Sequence, residues 1–396
     1  MSSSIPAPPP APPRRTYIDW LRGLAVVTMI EAHTFDSWTV LSVRDTLPYW
    51  YIQVIAGAGA PIFLFLAGVS VALASGSKLR RGLDDFDASR AMQRRGLQIF
   101  ALALLFRVQA FVLSPGATLY GILKVDILNI MGPAIVGAAL VWGLARGVWK
   151  RAGALSAAAA LFALLTPLVR SSTLMAALPD PIEWYFRPWA GRTTFTFFPW
   201  AGFVFAGAAV GVLIDRARDA SHEARLNLAL GLGGLSIAGA AYAASYWPSP
   251  YPESSFWTSS PCFFFLRVGL LVSSLGAAYL WMRRPTAHHF SPLLQFGRTS
   301  LFIYWIHVEL VYGFISTPLH KKLTLPQACV AFLLFTALMF WVSMWKTRVV
   351  AEWEQRHDTA PAWWRTGHRL AAAWAGPRES ASRDTRGATA AARSRD

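Results

Sequence analysis

Charge is what this sequence has least of. Asp, Glu, Lys and Arg make up 15% of its 396 residues, where a soluble domain carries roughly a quarter. Beside a hydrophobic content of 54%, that scarcity excludes an ordinary soluble fold. Cysteine is almost missing as well. Cys262 and Cys329 give neither a zinc-ligand spacing nor a disulfide framework. Acidic residues are fewer than basic ones, 21 against 37, which leaves a formal charge of +16. No internal repeat is visible by eye, and this speaks mildly against the duplicated halves common in transporters.

What is present is a series of long apolar runs. Uncharged stretches of about 18 to 22 residues read as membrane spans. Ten are expected, near 16–38, 50–75, 96–113, 119–145, 152–169, 194–214, 226–246, 261–282, 299–317 and 325–345. Several reach their length on Ala and Gly, which suits close helix packing. With the N-terminus placed in the cytoplasm, the inside loops hold seventeen Lys and Arg and the outside loops six, as the positive-inside rule asks. The expected fold is therefore an all-α polytopic membrane protein of about ten helices with both termini cytoplasmic. The positive charge reads as topogenic and lipid-facing, with no nucleic acid as partner.

The expected organisation has four parts. Residues 1–15 are a Pro-rich leader, predicted to be disordered. The transmembrane domain is 16–348. A Trp-rich segment, 349–375, reads as interfacial, and 376–396 is a basic tail without apolar content. The first span lacks a small-residue cleavage site after a short apolar core, so it reads as retained.

That first span, DWLRGLAVVTMIEAHTFDSW over residues 19–38, holds Asp19, Arg22, Glu31, His33 and Asp36. A helix turns about 100° per residue, so the eleven steps from Arg22 to His33 bring both to one face, about 16 Å apart along the axis. Asp19 and Asp36 fall near the same stripe. Either aspartate can be a boundary residue, and Arg22 can snorkel. An intramembrane His facing the same way as a deep Arg is nonetheless a functional candidate. Imidazole is the usual base near neutral pH, and the guanidinium fork is suited to phosphate.

Other polar groups interrupt the apolar runs. Arg107 lies in the third span, Asp126 opens the fourth, and Arg267 sits near the outer end of the eighth. The last two are either cavity-facing or boundary residues. In the ninth, Ser300, Tyr304 and His307 are spaced by four and three and share a face. They are expected to line the cavity that contains His33; the alternative is a polar cluster gluing helices together. Two aromatic outside loops, 180–192 and 246–261, suit a carbohydrate acceptor, but an interfacial Trp/Tyr belt is the favoured reading.

The first span, with Arg22, ten intervening residues and His33 after Asp-Trp-Leu-Arg-Gly, resembles the transmembrane acyltransferase superfamily. GAPIFLFLAGVSVAL (59–73), DILNIMGPAIV (126–136), FFPWAGFVFAGAAVG (197–211) and GRTSLFIYWIH (297–307) narrow the resemblance to the heparan-alpha-glucosaminide N-acetyltransferase-like family. The resemblance implies transfer of an acyl group, most simply acetyl, from cytoplasmic acyl-CoA to an amine or hydroxyl of a sugar or envelope glycan across the bilayer. It implies acetyl-CoA or another acyl-CoA as co-substrate, no metal, and a bacterial inner membrane. His33 becomes the catalytic base, with Asp36 orienting its ring. Arg22 approaches the donor, joined by Asp19, Arg94 and Arg95. Direct transfer and an acyl-histidine intermediate both stay open. Acceptor identity and oligomeric state are open too, with a homodimer allowed. Human-type members carry a large lumenal domain before the first helix. Here only residues 1–15 precede it, which weighs against heparan-derived glucosamine as acceptor. The competing reading is a small-anion transporter that uses the same Arg and His groups.

Overall fold

The computed structural model describes residues 15–113, 118–217, 219–284 and 291–358. In chain order the helices are α1 (Thr16–Trp38), α2 (Leu47–Ala56), α3 (Gly59–Arg80), α4 (Asp85–Leu113), α5 (Ile127–Leu144), α6 (Val148–Ser171), the single turns α7 (Thr173–Ala176) and α8 (Asp180–Glu183), α9 (Phe197–Asp215), α10 (Ala220–Ala244), α11 (Pro261–Met282), α12 (Pro292–Arg298), α13 (Ser300–Tyr312) and α14 (Leu325–Asp358). Among the described residues there are no strands, only two isolated bridges, Thr39 with Leu323 and Val125 with Thr193. The chain is an all-α polytopic membrane protein.

Each of the ten predicted stretches contains a helix. Eight helical stretches are long and apolar enough to cross a membrane by length and composition, α2 and α3 counting as one. α1 is not among them, since it carries Asp19, Arg22, Glu31 and Asp36. α13, with 13 residues, is shorter than a full span. The third stretch begins earlier than its apolar run, because the amphipathic segment from Asp85 continues into it without a break.

Two compact units divide the chain at Ser343 and Met344, five residues before the boundary expected from composition. The first unit holds the helical bundle. In the second, the described part is the helical end of α14 as far as Asp358. The predicted leader up to Pro13 and Arg14, the tail 376–396, and the interfacial segment beyond Asp358 lie outside the described residues.

α3, α5 and α9 form the buried centre of the first unit together with α1. Leu64, Phe65, Leu66, Ile130 and Phe203 are almost wholly enclosed there. α4, α6 and α10 present exposed leucines such as Leu104, Leu105, Leu161 and Leu232, as helices bordering lipid do. Gly and Ala on α3 and α9 let the two backbones touch. One end of the bundle is tied by ions. Arg80 donates to both carboxylate oxygens of Asp215 at 2.8 and 2.9 Å, Arg15 pairs with Glu223 at 2.8 Å, and Arg151 pairs with Asp85. The start of α1 is at this end, so His33 lies toward the other.

Candidate active site

The far end of α1 meets α13, α4, the start of α5 and the start of α11 around a cavity of about 570 Å³, within the usual range for a small-molecule site. His33 lines it, and so do Asp36, Arg107, Asp126, Arg267 and Tyr304. Six residues singled out from the sequence are thus brought together.

His307 is fully buried and stands behind His33. Its Nε2 is 3.0 Å from His33 Nδ1, and the two rings stack with centroids 5.1 Å apart. On its other side, His307 Nδ1 lies 2.8 Å from the Ile303 carbonyl. A carbonyl only accepts, so His307 Nδ1 carries the hydrogen. With both rings neutral, His307 Nε2 is then an acceptor and His33 Nδ1 must donate to it. That fixes the His33 tautomer. Its Nε2 keeps a lone pair and makes no hydrogen bond among the described residues, while the residue itself lines the cavity. The local helix explains why His307 can do this: the free hydrogen-bonding capacity of the carbonyl four residues earlier anchors the ring along its own helix.

Asp36 is engaged elsewhere. Tyr312 Oη donates to its Oδ2 at 3.0 Å, and Arg44 lies 3.2 Å from Oδ1. The ring of Tyr312 in turn meets His33 edge-on at 5.6 Å. Asp36 therefore bears on His33 through Tyr312, and the direct ring partner is His307.

Other lining residues are charged. Arg107 donates through Nε and Nη2 to the Gly121 carbonyl at 3.0 and 2.8 Å, and its Nη1 is 3.8 Å from Asp126 Oδ2. Asp126 caps α5: Oδ1 accepts from the Leu128 and Asn129 amides, and Asn129 answers with a capping box. Its Oδ2 is buried without a hydrogen bond. Arg267 places its guanidinium carbon 4.1 Å from the Phe263 ring centroid.

Two charged lining residues were not singled out as site residues from the sequence, Lys124 and Glu309. Glu309 Oε1 is buried without a hydrogen bond. A charged residue inside an apolar run was the available signal for both. Lys124 was absorbed into the predicted fourth span, and Glu309 points nearly opposite to the Ser300–Tyr304–His307 face of an ideal helix.

The remaining predicted residues lie elsewhere. Arg22 Nη1 is 3.0 Å from Asp19 Oδ1, and Nη2 donates to Ser70 Oγ on α3. Neither Arg22 nor Asp19 lines this cavity. Arg94 and Arg95 are exposed near the start of α4, at the same end of the bundle as Arg22. Ser300 is half-buried and does not line the cavity. Among the described residues no group of three or more His, Cys, Asp or Glu is placed to hold a metal ion.

A family model described as heparan-alpha-glucosaminide N-acetyltransferase, catalytic, matches residues 14–247. That range includes α1, His33, Arg107 and Asp126 and stops before α11 and α13. No curated protein gives a significant match to the chain.

Proposed function

The chain belongs to the heparan-alpha-glucosaminide N-acetyltransferase catalytic family, and from that membership we propose an acetyl-CoA-dependent transfer across the membrane with His33 as the general base. Family and fold together make it an integral-membrane enzyme of the acetyltransferase type. The acceptor is an amine or hydroxyl of an extracytoplasmic sugar or envelope glycan, and the membrane is the bacterial inner membrane. The observation that supports this reading is the unshared Nε2 of His33, a residue that lines the cavity and whose Nδ1 is bonded to His307.

In the reaction, His33 Nε2 takes the proton from the acceptor N–H or O–H as that atom attacks the thioester carbonyl. The tetrahedral intermediate then collapses, the carbon–sulfur bond breaks, and CoA leaves as thiolate. The proton on His33 passes to the thiolate or to water, which restores the base. Tyr304 Oη and Lys124 Nζ on the cavity wall make no hydrogen bond among the described residues and are assigned as donors to the developing oxyanion. Donor phosphates are assigned to the end of the bundle with Arg22, Arg94 and Arg95. The acetyl-bearing arm then runs along α1 toward His33.

The test uses purified full-length protein in liposomes with acetyl-CoA, following free CoA with and without glucosamine or crude envelope glycan. Acceptor-dependent CoA release is the expected result. Transport of a labelled small anion without any CoA release would overturn the enzyme reading.

His307 has its own expected outcome as a positioning residue. Replacing it with Phe keeps a flat ring but removes the acceptor that fixes the His33 tautomer. The expectation is a fall in kcat of about tenfold to a hundredfold, by loss of a buried hydrogen bond and of the productive tautomer, with KM for acetyl-CoA unchanged. His307→Gln, which retains an acceptor, should recover part of the rate. A purely structural role would instead lower the yield of folded protein without this split.

A further inference from the structure

A second cavity of about 610 Å³ adjoins the first. It lies between α2, the start of α3, and α11, and it shares Gly57, Trp257 and Arg267 with the site around His33. Its character is different. The walls are apolar, built from residues such as Trp50, Val54, Pro61, Ile62, Leu266 and Leu270. Trp50, Val54 and Leu270 are 47%, 46% and 51% exposed, on helical stretches long and apolar enough to cross a membrane. The slot therefore opens sideways toward lipid, whereas the first cavity is lined by ionisable groups.

Arg267 stands where the two join. Its guanidinium rests on the Phe263 ring and makes no hydrogen bond or ion pair among the described residues. A permanently charged fork in a low-dielectric setting, without a carboxylate, is an expensive arrangement. It is stabilised when an anionic oxygen completes it, and phosphate fits the fork best. Gly57 keeps the approach open: a Cβ there would lie 3.4 Å from Arg267 Nη2.

The geometry points to a lipid-linked acceptor: a sugar carried on a long-chain phosphate, with its chain in the apolar slot, its phosphate on Arg267 and its sugar in the cavity beside His33. This rests on the acetyltransferase reading above for the role of the sugar. The anchoring of chain and phosphate does not depend on it. Charge complementarity selects an anionic amphiphile, and the shared residues allow one molecule to occupy both spaces. The order of the three parts follows from the order of the walls: apolar toward lipid, cationic at the junction, polar and basic at His33.

The experiment measures binding and turnover separately. Full-length protein in nanodiscs is titrated, by native mass spectrometry, with hexadecyl phosphate, hexadecanol and glucosamine 1-phosphate. Hexadecyl phosphate is expected to bind at least tenfold more tightly than either the alcohol or the chain-free phosphate, and Arg267→Gln should remove most of that advantage. Val54→Trp, which fills the slot from its lipid side, should weaken hexadecyl phosphate but not glucosamine 1-phosphate. In the turnover arm, glucosamine 1-phosphate esterified with a hexadecyl chain should show a KM at least tenfold below that of the chain-free compound. Equal binding of chain-bearing and chain-free phosphate to wild type, which needs no variant to fold, would overturn the inference. Chain-dependent binding without CoA release would leave the anchoring intact and remove the acetyltransferase reading. CoA release with no chain preference would do the reverse.

Discussion

Alanine at position 33 is expected to lower acetyl transfer by a factor of about 10² to 10⁴, the usual contribution of a positioned general base. Nδ1 of His33 is used by His307 at 3.0 Å, so only Nε2 is left for chemistry, and it belongs to a residue lining the cavity. Several of its polar neighbours are already engaged. Asp36 is held by Tyr312 and Arg44, Asp126 is committed through Oδ1 to the α5 cap, and His307 spends Nδ1 on its own helix. The loss should fall on kcat, because Arg22 and the exposed Arg94 and Arg95 lie toward the other end of the bundle and the donor contacts assigned to them are untouched. Steady-state CoA release, with KM for acetyl-CoA measured alongside, distinguishes the cases. Retention of more than a third of wild-type kcat in well-folded His33→Ala protein would remove His33 as the base. Added imidazole should restore part of the rate, since the truncation leaves space of that shape beside His307.

How far this site could be read from the sequence depends on how local each relation is. The α1 stripe was legible because helical period is a local rule, and the Asp19–Arg22 pair follows it at i, i+3. Arg107, Asp126 and Arg267 were legible as charges interrupting apolar runs, and all three line the cavity. The His33–His307 bond joins residues 274 positions apart, and no periodicity within one helix announces it. Ser300 shares a face with Tyr304 and His307, yet only Tyr304 lines the cavity, because a face of 13 residues extends past the neighbours it packs against. Arg22 illustrates the same limit. Helical period aligns it with His33, but Ser70 of α3 and Asp19 take up its fork at the other end of the helix. α1 and α13 fall short of a full span for different reasons, α1 through its four charged residues and α13 through its length of 13 residues, so hydropathy and length alone undercount the helices around this cavity.

The largest structural effect is expected from leucine at Gly68. A Cβ built there would clash with the Val204 carbonyl oxygen and lie 2.7 Å from the Ala208 amide nitrogen. One turn away the contact is reciprocal: a Cβ on Gly207 would clash with the Phe65 carbonyl oxygen and lie 2.7 Å from its carbon. The obstructing atoms are backbone on both sides. They cannot rotate aside as a side-chain tip does, so the helices must separate. Lipid offers no hydrophobic drive to bring them back, since close van der Waals contact is itself what holds such a seam. Overpacking a core usually costs about 1–3 kcal/mol and more where backbone must move. Gly68→Leu is therefore expected to lose at least about 3 kcal/mol, seen as a large fall in melting temperature or loss of the monodisperse peak in detergent. Gly153 and Gly233 supply the internal comparison, because a Cβ at either meets nothing within 4 Å. Alanine at those helical positions should be neutral or slightly stabilising, by up to about 1 kcal/mol. Equal melting of Gly68→Leu and Gly153→Leu would show that the seam does not hold the bundle. If it does hold, separating α3 from α9 also displaces the cavity. Gly57, between α2 and α3, Ala60, at the start of α3, and Trp200 of α9 line it, so milder substitutions such as Gly68→Ala should slow transfer before they unfold the protein.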